Sequence, residues 1–143
     1  MNKKAELFKA FLDEKKIPAF QMREVPEDKL NTVVFSSFIA VEGERLETLV
    51  ILDSSIYGMI RVRVANAALK EGNEVAMEKA VNELNAKYKV FKYYFAADGT
   101  LILDACIPAR VGEVDCEMIF TILDVIVKHL EEEYKNVMKT IWA

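Results

Sequence analysis

Apolar positions recur at helical spacing near the start of the chain. Leu7, Phe8, Phe11 and Leu12, with Lys and Glu between them, predict a helix over about Lys3–Lys16. Pro18 prevents its continuation, because the residue before a proline is pushed out of the helical region. The period then changes to two. Phe20 and Met22 alternate with Gln21 and Arg23 in a short strand that Pro26, Glu27 and Asp28 break. Thr32–Val41 is β-branched and aromatic and reads as a strand, and Glu42-Gly43-Glu44-Arg45 turns the chain. Leu46–Leu52 and, after a turn over Asp53–Gly58, Met59–Ala65 are the next two strands.

The second half repeats the same vocabulary. Asn66–Asn73 reads as a loop, with Asn73 placed to cap a helix over Glu74–Tyr88 by accepting a backbone N–H bond. Met77, Ala80, Val81, Leu84 and Tyr88 line one face of that helix. Val90–Phe95 and Thr100–Ile107 are strands joined at Asp98-Gly99, where both turn positions favour positive φ. Pro108 and Gly112 mark a loop. From Met118 to Ile141 apolar residues return at intervals of 3, 4 and 7, a helix of about 25 residues and roughly 37 Å. Glu113, Asp115 and Glu117 put negative charge at its start, where the dipole favours it.

The predicted order is α-β-β-β-β-α-β-β-α. Short connections imply a single, largely antiparallel sheet with N-terminal, middle and long C-terminal helices, an α+β fold. With 143 residues, no internal repeat and no linker, residues 1–143 are expected to form a single domain.

The strands carry more apolar side chains than one wet face allows. Val33, Phe35, Ile39 and Val41 lie on one side of their strand, and Val34, Phe38 and Ala40 on the other. Leu49 and Ile51 oppose Thr48, Val50 and Leu52; Phe91, Tyr93 and Phe95 oppose Val90 and Tyr94. Ile60, Val62 and Val64 share one side of theirs, with Arg61 and Arg63 opposite. An antiparallel sheet with one solvated face alternates more cleanly than this. If the helices cover one side only, a second chain or a bound segment must cover the other. Arg61 and Arg63 suit an anionic ligand or a partner carboxylate, or a cross-strand pair with an acid such as Glu47. Phe38, Tyr94, Arg61 and Arg63 are the candidate partner-binding residues.

Composition narrows the chemistry. The chain is 52% hydrophobic and 29% charged, which suits a globular protein. Its net charge of −4 argues against a nucleic-acid partner, since such binding draws on clustered Lys and Arg. No apolar run approaches the roughly 18 residues of a membrane span, and none follows the N-terminal lysines as a signal peptide would, so a cytoplasmic location is expected. The lone histidine, His129, has Lys128 and Glu131 as its nearest polar companions in sequence and reads as a surface residue. Cys106 and Cys116 read as buried thiols, although a helix N-terminus at Cys116 would lower its pKa. Glu131, Glu132 and Glu133 point about 100° apart on a helix and do not converge on one ion. The glycines fit no phosphate-cradling loop. No catalytic residue, metal site or cofactor is expected.

Val81-Asn82-Glu83-Leu84-Asn85, then an aromatic strand, Asp98-Gly99, an apolar strand ending at Pro108 and a long amphipathic helix resemble the YbjN-like domain. That family is described as bacterial sensory transduction regulators, with a fold similar to the class I type III secretion chaperones. The resemblance covers about Lys3–Ile141. It implies a small acidic cytoplasmic homodimer whose protein partner wraps around it as extended segments, and it supplies no catalytic residues. The expected function is therefore a non-enzymatic, chaperone-like or regulatory module that binds a protein segment. The alternative is a small-molecule sensor with a pocket between sheet and helix lined by Phe35, Phe91, Tyr93 and Met residues.

Overall fold

A computed structural model describes residues 1–143. The chain runs α1 (Lys3–Glu14), β1 (Gln21–Glu24), β2 (Val33–Val41), β3 (Glu44–Leu52), β4 (Tyr57–Ala65), α2 (Glu74–Lys87), β5 (Lys92–Phe95), β6 (Leu101–Pro108) and α3 (Cys116–Trp142). The six strands form one sheet in the order β1-β2-β3-β4-β6-β5, with every neighbouring pair antiparallel. The element order is the expected one.

Turn chemistry explains where strand boundaries moved. Glu42 and Gly43 both take positive φ, 49° and 79°, in a tight two-residue hairpin. Val41 and Glu44 therefore face each other, and β3 starts at Glu44 rather than at Leu46. The Asp98-Gly99 hairpin differs from expectation. Only Gly99 has positive φ, and the Ala96 N–H donates to the Thr100 carbonyl across a three-residue loop. Gly99 is needed for a second reason. Its carbonyl accepts from the N–H groups of Ala68 and Leu69, and a Cβ there would sit 2.9 Å from the Leu69 oxygen.

All three helices pack on one side of the sheet. Ala5, Phe8 and Leu12 from α1, Met77 from α2, and Ile119, Ile122, Ile126, Leu130, Tyr134, Val137 and Ile141 from α3 join one buried cluster. Its sheet side is Val33, Phe35, Ile39 and Val41 of β2, Leu46, Val50 and Leu52 of β3, Ile60, Val62 and Val64 of β4, with Leu101, Leu103 and Tyr93. Phe8 meets Phe35 edge-on at 4.8 Å, the preferred geometry for aromatic quadrupoles.

Two polar side chains at the start of α1 bind this helix to distant parts of the sheet. The Asn2 carboxamide oxygen accepts from the Ala5 N–H at 2.8 Å as the helix N-cap, and its nitrogen donates to the Asn31 and Leu52 carbonyls at 2.8 and 2.9 Å. Lys4 is 1% exposed, and its Nζ donates to the carbonyls of Ser55, Tyr57 and Ala109 at 2.6, 3.0 and 3.3 Å. Burial lowers the Lys4 pKa, with nearby Asp53 opposing that shift. One amine thus holds together the β3–β4 turn and the end of β6. At its other end α1 stops with Lys16 at φ 55°, the Lys16 and Ile17 N–H groups returning to Asp13 and Leu12. This is a Schellman cap without glycine, and it ends the helix at Glu14, four residues before Pro18.

Asn73 does not cap α2 as expected. Its side chain is occupied by the preceding loop, accepting from the Lys70 N–H at 2.7 Å and donating to the Ala68 carbonyl at 2.8 Å. Only Met77 of α2 is fully buried.

Replacing Lys4 with Met removes the donor for three backbone carbonyls at once. Unfolding in urea is expected to show a loss of about 2 kcal/mol or more, the cost of leaving buried acceptors unpaired. A loss under about 0.5 kcal/mol would mean the amine is not an anchor.

Candidate interaction surface

With the helices on one side, the opposite face of the sheet has no layer over it. Residues directly paired across antiparallel strands share a face, so the register assigns this surface row by row. Val34, Ile51, Met59 and Cys106 form one row across β2, β3, β4 and β6, entirely without charge. The next row is Ser36, Leu49, Arg61 and Asp104. Beyond it lie Phe38 opposite Glu47, and Arg63 opposite Ile102, which in turn faces Tyr94. The four candidate residues Arg61, Arg63, Phe38 and Tyr94 therefore share this uncovered face.

Both arginines answer a carboxylate across a strand. Arg61 donates through Nε and a terminal nitrogen to the two Asp104 oxygens, each at 2.9 Å. This forked pair is half-buried, and the Asp104 hydrogen bond raises the guanidinium pKa further. Arg63 lies 3.5 Å from Glu47, the cross-strand pair anticipated from the sequence. Burial and the Asp104 charge raise the pKa of Tyr94. Arg45 sits over the Phe38 ring at 4.3 Å, a cation–π contact.

Much of the apolar part of the face is wet, although Val34 and Ile102 are only 6% and 5% exposed. Phe38 is 52% exposed and Tyr57 50%, and Cys106, expected to be buried, is exposed. An open depression of about 630 Å³ lies along the uncharged row, between Leu30, Ile51, Tyr57, Met59, Arg61 and Cys106. The sheet is also open at one edge. β1 pairs with β2 only over Val33–Ser36, so Ser37–Val41 has no strand neighbour on that side.

The remaining chemistry-bearing residues lie elsewhere. His129 is not a surface residue: it is 3% exposed, on the helix side of the sheet. It falls seven residues after Ile122 and three after Ile126, on the buried stripe of α3, so its charged neighbours in sequence misled. Its Nε2 shares a 2.7 Å hydrogen bond with the Tyr93 hydroxyl, and the Tyr88 and Phe91 rings lie 4.3 and 4.5 Å away. Burial lowers the His129 pKa to about 4 and raises that of Tyr93, and His129 Nδ1 has no hydrogen-bond partner. Cys116 opens α3, yet its pKa is raised. Burial is the main cause and the neighbouring Asp115 charge adds to it. Asp115 caps the helix by accepting from the Met118 N–H at 3.0 Å, which neutralises the positive end that would have lowered the thiol pKa. Phe35, Phe91 and Tyr93 are each 3% exposed or less and fill the core rather than lining a cavity. No group of three His, Cys, Asp or Glu side chains converges as a metal site would require, and no helix is long and apolar enough to cross a membrane.

No family model matches the sequence, and no curated protein matches it. Among solved structures, the chain is similar to one from the crystal structure of the ExsC–ExsE complex. The TM-score is 0.58 over 94% of this chain and 96% of that one, at 14% identity. At that identity the likeness concerns the fold. The shared arrangement is the α+β fold expected from the element order.

The buried imidazole has a thermodynamic signature. Its folded pKa, about 4, lies below the ordinary 6.5, so folding favours the neutral ring. The stabilisation is complete above pH 6.5 and is lost as pH falls toward 4, because the unfolded chain takes up the proton first. A shift of this size corresponds to about 3 kcal/mol. The difference in stability between wild type and His129→Leu is expected to change by that order between pH 7 and pH 4.5. A difference independent of pH would place the ring in water.

Proposed function

We propose that this chain is a YbjN-like, non-enzymatic protein-binding module, chaperone-like or regulatory, that acts in the cytoplasm as a homodimer and binds a protein segment. The observation that carries this reading is the sheet face without a covering layer. Large contiguous apolar patches on a folded chain mark interaction sites. The mixture on this one, aromatic side chains and arginines around an aliphatic floor, is the composition of binding hot spots. Phe38, Tyr94, Arg61 and Arg63 carry the contact.

Two docking modes suit an extended polypeptide. It can lie on the open face, or it can add as a strand along the free edge of β2, where backbone groups give affinity and alternate side chains give selectivity. The fold shared with a protein seen in the ExsC–ExsE complex is consistent with a protein partner. A second copy is the natural cover for apolar side chains away from the sheet face, of which Val75 at 83% and Trp142 at 69% are the most exposed. A small ligand between sheet and helices is the weaker reading, because Phe35, Phe91 and Tyr93 already occupy that space.

Light scattering of the pure protein is expected to give twice the 16.3 kDa chain mass. Immobilised protein is expected to retain a discrete polypeptide from its native cell extract, and Phe38→Ala with Tyr94→Ala to weaken that retention about tenfold, ~1.4 kcal/mol, at unchanged melting temperature. A monomer at tens of micromolar that retains nothing would end this reading.

A further inference from the structure

The charge on the open face runs against that of the chain. The protein carries a net charge of −4, yet this face presents Arg23, Arg45, Arg61, Arg63 and Lys92 against Glu47, Asp104 and, at the end of the depression, Asp53. Arg61 and Arg63 are answered by Asp104 and Glu47, Lys92 donates to the Asn85 and Tyr88 carbonyls, and Asp53 accepts from Ser55. Arg45 lies over the Phe38 ring, and neither it nor Arg23 has an ion-pair partner. Both are exposed. Arg23 stands opposite Val34 and Arg45 opposite Ala40, so the two free guanidinium groups flank the face at positions six residues apart along β2. At 3.3 Å per residue that is roughly 20 Å. Between them lie Phe38, Leu49 and the edge of the uncharged row with its depression.

Resting on the protein-binding reading, we infer that the open face selects an extended segment of about seven residues with carboxylates at its two ends and apolar side chains between them. The period of a strand makes this spacing self-consistent. In an extended segment residues 1, 3, 5 and 7 share one face, so acids at 1 and 7 meet the two free arginines while apolar residues at 3 and 5 cover the floor. Charge separates this occupant from a second copy. Two such faces stacked together would set uncompensated arginines against each other, and like charges in contact are costly. An acidic segment instead completes the pairing already begun by Glu47 and Asp104.

The test uses the full chain and two fluorescein-labelled heptapeptides, one with Glu at 1 and 7 and Leu at 3 and 5, the other with Lys in place of Glu. Fluorescence anisotropy at low ionic strength is expected to show the Glu peptide bound at least tenfold more tightly, with affinity falling as salt screens the charges. An Arg23→Glu/Arg45→Glu variant is expected to keep its melting temperature and to reverse the preference. Alkylation of a Ser36→Cys variant, whose thiol lies between the two arginines on the open side of β2, is expected to slow with the Glu peptide only, while Cys116 on the helix side serves as the internal control. Equal affinities, no saturable binding, or no reversal in the variant would overturn the inference. So would a Ser36→Cys thiol already protected without peptide and increasingly so with protein concentration, the mark of a second copy on the face. So would protection by phosphatidylserine vesicles but not by peptide. If wild type retains a cellular polypeptide and the double-arginine variant retains it equally, this inference fails while the broader reading stands. If wild type retains none, the broader reading fails too.

Discussion

A six-stranded sheet has two faces, and three helices gathered on one of them leave the other without cover. Everything distinctive in this molecule follows from that asymmetry. The helical side is closed: Phe8, Phe35, Ile60, Leu103, Ile126 and Leu130 are 1% exposed or less and form a continuous core with the rest of α1 and α3. The far side, carried by the same strands, sets Ile51, Met59 and Phe38 among arginine–carboxylate pairs in solvent. Alternation along a strand means that no residue can serve both faces. The chain has thus kept apolar side chains on the second face at positions where its own core gains nothing from them.

The closed side owes its definition to a few polar contacts as well as to grease. Lys4 and Asn2 anchor α1 to the ends of β2, β3 and β6 through backbone carbonyls, and Asn73 ties the loop before α2 to the C-terminal end of α3 through the Ile141 carbonyl. His129 and Tyr93 share a hydrogen bond inside an aromatic box where α3 crosses β5. Each fixes a relative position that apolar packing alone would leave adjustable. That rigidity allows the opposite face to hold its rows in register without a layer packed against them.

Much of this was legible in the sequence, because strands and helices write their periods into side-chain order. Phe38 facing away from Phe35 and Ile39, and Arg61 and Arg63 facing away from Ile60 and Val62, could be assigned to a second face before any coordinates. Which side the helices choose could not, since α1 and α3 are amphipathic and would fit either. The polar anchors were invisible for a different reason. Lys4 finds its acceptors 51 to 105 residues away, and nothing local distinguishes it from Lys3. His129 was misread by its charged neighbours, although its spacing from Ile122 and Ile126 carried the signal. Asn73 sits where a cap belongs, but the loop before it offered its side chain better partners.

Met59 and Ile60 are adjacent in β4 and point to opposite faces, the first to the open side and the second, 0% exposed, into the core. Denaturant unfolding of Met59→Asp and Ile60→Asp compares the two faces within one strand. Met59→Asp is expected to lose about 1 kcal/mol or less, while Ile60→Asp loses more than about 4 kcal/mol or does not fold, as a charge buried without a partner requires. Equal, severe destabilisation by both would mean that the far face is covered within the single chain and offers no open surface to a partner.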